Sequence, residues 1–296
     1  MIAVLGPGAV GGFAAAALAR AGEDVLVVAR EPTTERIAAD GIAVTSVVLG
    51  EFIARPLATA RLFEPVDVLL VTTKATTLEA ALARIEAEPG CVVPLLNGIE
   101  HMARLRERFG RERVHAGVIR IDSDRPELGR VVQRSPSARI DLAGEAPELG
   151  RTLRGAGFDV RTGESEARVL WSKLARLNAL AGTTSAADAT IGYIRSDPRW
   201  RSALEGCVRE TIAVANVEGA GLDPSATMEE LDHAHPDLGS SMRRDIAAGR
   251  EPELDAIAGA VIRAGERHGI RCPTVTWLRD RIAARIAAAG TLRTEG

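Results

Sequence analysis

The chain has 296 residues, of which 46% are hydrophobic and 26% charged, and its formal net charge is -3. This length suits two ordinary domains or one large one, and the apolar content is sufficient for a globular core. A slightly acidic balance favours neither nucleic acid nor an anionic membrane surface as a partner. The aromatic content of 3% also leaves few side chains on which bases could stack.

The opening stretch Met1–Ala19 has no charged residue and resembles a signal peptide or a membrane span in composition. It lacks a basic start and is interrupted by Gly-Pro-Gly, so we predict a strand, a turn and a helix instead. Cys91, Cys207 and Cys272 are odd in number and lack disulfide or metal-ligand spacing, and the histidines show none either. We therefore expect a cytoplasmic protein without a metal ion.

In the first half of the chain, short apolar runs alternate with helical stretches. The predicted strands are Ile2–Leu5, Val25–Val28, Val68–Thr72, Val92–Leu96, Val114–Ile119, Arg130–Gln133 and Ala138–Leu142, with a turn and strand over Gly155–Val160. The predicted helices are Val10–Ala21, Thr76–Ala87 and Ile99–Phe109. Such alternation is typical of a parallel, doubly wound sheet.

Beyond Glu164 the predicted strands give way to helical stretches rich in Ala, Leu and Arg. These are Glu166–Leu180, Asp197–Val217, Thr227–His233, Ser240–Ala248, Glu251–His268 and Thr274–Ala288. The predicted fold class is therefore α/β, with a doubly wound N-terminal domain followed by an all-helical C-terminal domain. We place the boundary at Gly163, so that residues 1–163 form the first domain and 164–296 the second.

A glycine pattern lies between the first predicted strand and the first predicted helix. The residues Gly6-Pro7-Gly8-Ala9-Val10-Gly11 fit G-x-G-x-x-G. The first glycine allows a tight turn, the second lets a pyrophosphate approach the backbone, and the third lets the helix pack on the strand. The phosphates would lie at the helix N-terminus. We therefore expect Gly6, Gly8, Ala9, Val10 and Gly11 to bind a dinucleotide.

The end of the second predicted strand indicates which dinucleotide is bound. NAD-binding folds usually carry a carboxylate there for the ribose 2′-hydroxyl, whereas a guanidinium suits a 2′-phosphate. This chain has Arg30 at that place, which favours NADP(H). Glu31 follows directly and leaves NAD open as an alternative, if the register shifts by one residue.

Lysine occurs twice among the 37 basic residues, at Lys74 and Lys173. Apart from chance survival, a lysine in so Arg-rich a chain indicates a position that Arg cannot serve, because an ammonium is compact and can lose its proton. Lys74 closes a predicted strand at the sheet edge where ligands bind in open α/β folds. Asn97 closes the next strand, and Gly98 would let the backbone approach a nicotinamide ring.

Taken together, the motifs resemble those of the ketopantoate reductase family, also called 2-dehydropantoate 2-reductases. They occur in the family's order from Met1 to about Pro273 and read VLGPGAVGG, VVAR, TTKA, LLNGIE, LWSKL and SSMRRDIAAGREPELDAIAGAVIRAGERHGIRCPT. The resemblance implies a Rossmann-type NADP-binding domain, a helical substrate and catalytic domain, and an active site in the cleft between them. It also implies reduction of 2-dehydropantoate by NADPH to (R)-pantoate, on the route to pantothenate and coenzyme A.

The resemblance further implies a role for each matching residue. The glycine loop, Arg30 and Lys74 would hold NADPH, and Asn97 would contact cofactor and substrate. Those assignments complete the expected cofactor site.

On the catalytic side, the resemblance makes Lys173 the proton donor. Ser241 would bind the substrate carboxylate, and Glu253 would contact the nicotinamide and the substrate. The chemistry requires such a lysine independently of the family, since hydride delivered to a ketone leaves an alkoxide that an ammonium can protonate.

Four positions depart from the family, which has substrate-holding asparagines there. This chain carries Leu177, Ala181, Ile191 and Leu238 instead. The first two follow Lys173 by four and eight residues, so they share its side of the predicted helix and belong to the expected substrate wall. Asn178 is rotated about 140° from Lys173 and would restore the site only if the helix bulges.

Three functions remain open at this stage. The first is an NADPH-dependent reductase of a 2-keto acid or related carbonyl more apolar than ketopantoate. The second is a true ketopantoate reductase, with water or other residues in place of the asparagines. The third is a non-catalytic NADP(H)-binding sensor, which has no use for the retained Lys173. The expected partner is a small keto acid or ketone, without nucleic acid or membrane, and a homodimer is left open.

Overall fold

The computed structural model describes residues 1–294, with side chains described as far as 288, and divides the chain into two compact units. The first unit comprises Met1–Leu96 and Glu100–Val169, and the second comprises Asn97–Ile99 and Leu170–Gly296. The division falls inside the first long helix, whereas the sequence boundary at Gly163 precedes that helix. The first turn of the helix belongs to the first unit, where Glu166 forms an ion pair with Arg106, with Nη1 and Oε1 2.9 Å apart.

All strands of the described chain lie in the first unit. They are β1 Ile2–Leu5, β2 Val25–Val28, β3 Ile42–Ser46, β4 Gly50–Ala54, β5 Leu57–Thr59, β6 Val68–Val71, β7 Cys91–Pro94, β8 Gly117–Arg120, β9 Ser123–Glu127, β10 Arg130–Gln133, β11 Arg139–Ala143 and β12 Asp159–Glu164. The helices of this unit are α1 Ala9–Arg20, α2 Glu31–Asp40, α3 Leu78–Leu82, α4 His101–Phe109 and α5 Pro147–Gly155. A 3-10 turn, Ala75–Thr77, leads into α3.

Five parallel strands form the sheet that presents the glycine loop. Their order is β5-β2-β1-β6-β7, so β1 lies between β2 and β6. The loops that follow these three strands therefore meet at one edge of the sheet, as in doubly wound nucleotide-binding folds. Two smaller sheets, ordered β4-β3-β10-β9 and β12-β11-β8, complete the unit. The predicted α/β class with a Rossmann-type first domain is confirmed.

Helix α1 is buried along almost its whole length, which explains the absence of charge in the opening stretch. Its Phe13 packs edge-on against Phe158, with ring centroids 5.7 Å apart. On another side a Cβ at Gly12 would approach Val131 Cγ2 to 2.8 Å, so the helix packs closely there. Small and apolar residues are required on every face of such a helix. No helix in the described part of the chain is long and apolar enough to span a membrane.

The second unit is helical. Its helices are α6 Glu166–Ala187, which crosses from the first unit, α7 Ile191–Ser196, α8 Pro198–Val217, α9 Pro224–Asp232, α10 Ser241–Ala247, α11 Ala260–Arg267 and α12 Pro273–Thr294. Asp197 caps α8 by accepting hydrogen bonds from the backbone N–H groups of Arg199 and Trp200, both at 3.0 Å. The predicted all-helical second domain is thereby confirmed.

Three differences from the sequence prediction affect the site. The helix predicted over Thr76–Ala87 is reduced to the 3-10 turn and α3, because a bridge between Leu62 and Ile85 redirects the chain. The helix predicted from Glu251 begins after Glu253, and a π-helical segment, Asp255–Gly259, precedes α11. The polar segment after Arg30 forms α2, β3, β4 and β5, none of which was predicted.

Candidate active site

The glycine loop connects β1 to α1 and is tight wherever it faces the protein. Gly6 has a φ of +87°, and a Cβ at Gly11 would collide with Thr72 Oγ1 and with the Gly6 carbonyl. By contrast, a Cβ at Gly8 would meet no atom nearer than 4.0 Å, and no side chain caps α1. The loop therefore leaves clear space at a helix N-terminus, which fits the pyrophosphate of a dinucleotide.

The rest of the predicted loop residues lie in the same place. Ala9 and Val10 are the first residues of α1 and are partly exposed. Thr72, directly after β6, donates its hydroxyl to the carbonyls of Leu5 and Gly6, each at 2.9 Å. This hydroxyl ties the end of β6 to the glycine loop, a contact that the sequence prediction missed.

The two predicted cationic cofactor residues follow β2 and β6, the strands on either side of β1. Arg30 is exposed, and its carbonyl accepts hydrogen bonds from the N–H groups of Thr33 and Thr34 at 2.9 and 3.1 Å. Lys74 is half-buried, and its carbonyl accepts a hydrogen bond from Thr77 N–H at 3.1 Å. Both backbones are thus fixed by the turn that follows, at the sheet edge where ligands bind.

In the second unit, the structure brings together two predicted residues that are distant in sequence. Asn97 donates its side-chain amide to Glu253 Oε2 at 2.8 Å. Glu253 is only 8% exposed. Gly98 has a φ of +82°, and a Cβ there would collide with the Ala256 carbonyl. The loop after β7 can approach the π-helical segment so closely because position 98 has no side chain.

The apolar positions around Lys173 differ in exposure. Lys173 is half-buried on α6, and Leu177 lies one turn later on the same face, partly exposed. Leu238 is also partly exposed, whereas Ala181 and Ile191 have no accessible surface. In this conformation, a ligand could touch the side chains of Leu177 and Leu238 but not those of the other two, which are packed inside the unit.

Asn178 lies in the interior of the helical unit. Its side-chain amide donates to Thr211 Oγ1 on α8 at 3.0 Å, and Asn178 is 1% exposed. Helix α6 is α-helical throughout Glu166–Ala187, without the bulge that would turn this residue toward Lys173. The alternative in which Asn178 replaces a substrate-holding asparagine therefore has no structural basis.

Ser241 is exposed as the first residue of α10, directly after a buried serine that fixes its position. Ser240 accepts a hydrogen bond from Arg243 N–H at 3.2 Å and so caps the helix. The Ser240 hydroxyl also contacts those of Thr184 and Ser185 at 3.0 and 3.3 Å. The sequence could have indicated this cap, since serine before a helical stretch is a common start signal.

Comparisons with known proteins assign the family. The family model described as "Ketopantoate reductase PanE/ApbA" matches residues 2–144, and its C-terminal counterpart matches residues 167–285. The 2-dehydropantoate 2-reductase of Caulobacter vibrioides is 34% identical over 283 residues, which cover 92% of this chain and 94% of that protein. The enzyme of that name from Mycobacterium tuberculosis is 32% identical over 299 residues, covering 97% of each.

Two solved structures share the fold. The 2-dehydropantoate 2-reductase from Geobacter metallireducens has a TM-score of 0.87 at 28% identity, covering 96% of this chain and 99% of that one. D-mandelate dehydrogenase with NADH and anilino(oxo)acetate has a TM-score of 0.88 at 22% identity, covering 98% and 99%. The two family models span most of the chain. The protein therefore belongs to the ketopantoate reductase family of NADP-dependent oxidoreductases, which act on CH–OH or C=O groups.

Proposed function

We propose that this protein is an NADPH-dependent reductase of a 2-keto acid or related carbonyl compound more apolar than ketopantoate. The observation that carries the proposal is Leu177, which is partly exposed one helical turn after Lys173. Asn178 supplies no substitute amide, because it is bonded to Thr211. A polar substrate group left without a partner costs about 1–3 kcal/mol, so a hydrocarbon wall favours an apolar substrate chain.

In this proposal, the first unit holds the cofactor through Gly6, Gly8, Ala9, Val10, Gly11, Arg30 and Lys74. Bound NADPH supplies a hydride to the carbonyl carbon of the substrate. Lys173 gives the Nζ proton to the oxygen of that carbonyl as negative charge develops on it.

The other residues of the second unit orient the reactants. Asn97 and Glu253 are hydrogen-bonded to each other at 2.8 Å. In this proposal they would contact the nicotinamide side of the cofactor and the substrate. The exposed hydroxyl of Ser241 donates to the substrate carboxylate.

The fold alone does not restrict the substrate to ketopantoate. A protein named D-mandelate dehydrogenase has the same fold at a TM-score of 0.88. Substrate choice must therefore come from individual side chains, of which Leu177 is the one nearest in sequence to Lys173 among the partly exposed departures.

The second candidate is a true 2-dehydropantoate 2-reductase that forms (R)-pantoate for pantothenate and coenzyme A. The names of the relatives at 34% and 32% identity favour it. In that case water would replace the missing amide groups beside the substrate hydroxyl.

A matched pair of substrates distinguishes the candidates. Trimethylpyruvate differs from ketopantoate by lacking one hydroxyl group, so NADPH consumption with each measures what that hydroxyl contributes. We expect kcat/KM to favour trimethylpyruvate by about tenfold or more, with the Lys173→Ala variant as the blank. A preference for ketopantoate would establish the second candidate. NADPH binding without turnover of any carbonyl compound would favour the sensor.

A further inference from the structure

We infer that Arg84 is a second residue of the 2′-phosphate site, which selects NADP(H) over NAD(H) by binding the phosphate and by holding Glu31 away from the ribose. The inference rests on the proposed position of the cofactor at the glycine loop and Arg30. It concerns the first unit alone.

Arg84 reaches the sheet edge at which the cofactor ribose is expected. Its Nη1 donates to the carbonyl of Ala60 at 3.0 Å and to the carbonyl of Ala29 at 3.4 Å. These carbonyls follow β5 and β2, which are neighbouring strands. The side chain is 23% exposed, so the guanidinium is held by the backbone yet accessible from one side.

The same Nη1 lies 3.4 Å from Glu31 Oε1. Glu31 is the residue that would accept the ribose 2′-hydroxyl of NAD. The pKa of its carboxyl is lowered by a backbone hydrogen bond and then by Arg84, with Arg61 adding a weaker electrostatic effect. Glu31 therefore remains an anion, and pairing with Arg84 offsets a charge that would otherwise repel a 2′-phosphate.

The opposite edge of the guanidinium is available to a ligand. Within the part of the chain that the structure describes, Nη1 makes all the hydrogen bonds of Arg84, and Nη2 and Nε make none. Arg30 is the next residue after Ala29 and is exposed. A guanidinium fixed at one end presents paired N–H donors in the geometry that phosphate oxygens require.

This arrangement would raise the affinity for NADP(H) and lower the affinity for NAD(H). The 2′-phosphate gains a second guanidinium, while Arg84 draws one oxygen of the Glu31 carboxylate toward itself and so competes with the 2′-hydroxyl of NAD for that acceptor. The fold alone does not select between NADP(H) and NAD(H), because a protein of the same fold has been solved with NADH. The selection must therefore come from individual side chains. Arg84 thus disfavours the NAD alternative that Glu31 left open in the sequence.

Binding calorimetry with two nicotinamide-free ligands tests the inference. Adenosine 2′,5′-bisphosphate and adenosine 5′-monophosphate differ by the 2′-phosphate alone. In Arg84→Ala we expect the Kd of the bisphosphate to rise about 10- to 100-fold, as for loss of a hydrogen bond to a charged group, while the Kd of the monophosphate stays unchanged. Arg113→Ala is the matched control, since Arg113 pairs with Glu88 and lies at the opposite end of the sheet, beside Val92 of β7.

A second comparison tests the part played by Glu31. In Arg84→Ala the released carboxylate should lower the Kd of NAD⁺ several-fold, and the double variant Arg84→Ala/Glu31→Gln should lose that gain. If Arg84→Ala raised the Kd of both adenosine ligands by the same factor, or changed neither Kd, Arg84 would be a purely structural residue and the inference would be overturned. Wild-type binding of both ligands with equal affinity would overturn it while leaving the cofactor site in place, whereas binding of neither would overturn the placement of the cofactor as well.

Discussion

At the scale of single residues, the proposed chemistry depends on two neighbours along α6. Lys173 provides a proton, and Leu177 provides an apolar surface one turn later. Both residues could be singled out from the sequence. Lys173 is one of two lysines in an arginine-rich chain, and Leu177 stands where the family has an asparagine. The partners could not be predicted: the amide of Asn178 is bonded to Thr211, 33 positions away, and local pattern carries no information about such a contact.

Replacing Lys173 by Arg separates charge from proton transfer. The guanidinium retains the positive charge but cannot release a proton near neutral pH. We expect kcat/KM to fall about 10²- to 10⁴-fold in Lys173→Arg and Lys173→Ala alike, with the Kd of NADP⁺ unchanged in calorimetry. Activity of Lys173→Arg close to wild type would mean that positive charge suffices and that no proton is donated here.

Restoring an amide beside the lysine tests the apolar wall. In Leu177→Asn we expect the ratio of kcat/KM for ketopantoate to that for trimethylpyruvate to rise about 10- to 100-fold, because the substrate hydroxyl regains a partner. Val217→Asn makes the same type of change at an exposed position at the end of α8 and should leave the ratio unaltered. An unchanged ratio in a folded Leu177→Asn protein would remove the basis of the substrate proposal.

At the scale of secondary-structure elements, α6 carries the proposed proton donor Lys173, and arginines from α10 and α12 hold its C-terminal end. Asp188, just beyond the helix, has a φ of +54°. It pairs with Arg243 Nε at 3.0 Å and with Arg285 Nη2 at 2.7 Å. The Ala186 carbonyl accepts a hydrogen bond from Arg281 at 3.1 Å. These contacts satisfy carbonyls and charges that a helix end leaves open.

The substitution Asp188→Asn tests this helix end through its pH dependence. The pKa of Asp188 is lowered, chiefly by the hydrogen bond from Arg243 and then by the charges of Arg285 and Arg243. A carboxylate with a lowered pKa stabilises the fold above its ordinary pKa of about 3.9, and the contribution is lost as the pH falls through the folded value. Asn also tolerates a positive φ, so the variant removes the charge alone.

We therefore expect Asp188→Asn to lower the Tm at neutral pH and to match the wild type near pH 2. The side chain is half exposed, so the expected loss of stability is below about 1 kcal/mol. Thermal melts of both proteins across this range provide the measurement. A difference in Tm that persists unchanged at low pH would show that the ion pairs are not its cause.

How well each element could be predicted follows from its sequence. Strands β1 and β2 match the prediction at both ends, because buried parallel strands read as uninterrupted apolar or β-branched runs. Strand β10 also matches at both ends, although only its two central residues are apolar. Strand β5 has three residues and follows Pro56, which leaves too short a pattern to recognise. The helix predicted over Thr76–Ala87 was wrong in length, since a long-range bridge outweighed local periodicity.

At the scale of the whole molecule, the proposed phosphate-binding residues of the cofactor site and the proposed proton donor belong to different units. The glycine loop, Arg30 and Lys74 belong to the first unit, whereas Asn97, Lys173 and Glu253 belong to the second. The separate matches to residues 2–144 and 167–285 follow the same division. The motifs allowed the fold class to be predicted. The assignment of Asn97–Ile99 to the second unit could not be predicted, because those residues follow a strand of the first.

Cofactor binding should stabilise the whole protein by mass action. At a concentration of 100 Kd, NADP⁺ would add about 2.7 kcal/mol to the free energy of unfolding, and calorimetry should record a higher Tm. NAD⁺ at the same concentration should give a smaller shift. Gly11→Ala is the control, because its Cβ would collide with Thr72 Oγ1 and distort the glycine loop. This variant should show no increase in Tm with either dinucleotide. Equal shifts with the two dinucleotides would contradict the NADP preference.

The π-helical segment Asp255–Gly259 acts on the chain as a one-residue insertion. A π turn contains one residue more than an α turn, so the segment before it is rotated by about 100° and displaced by about 1.5 Å relative to an uninterrupted helix. Glu253 lies two residues before this segment, and its side chain accepts a hydrogen bond from Asn97. The position of the Glu253 carboxylate therefore depends on the number of residues in this segment as well as on which residues they are. A homologue one residue shorter here would have to supply it from another position.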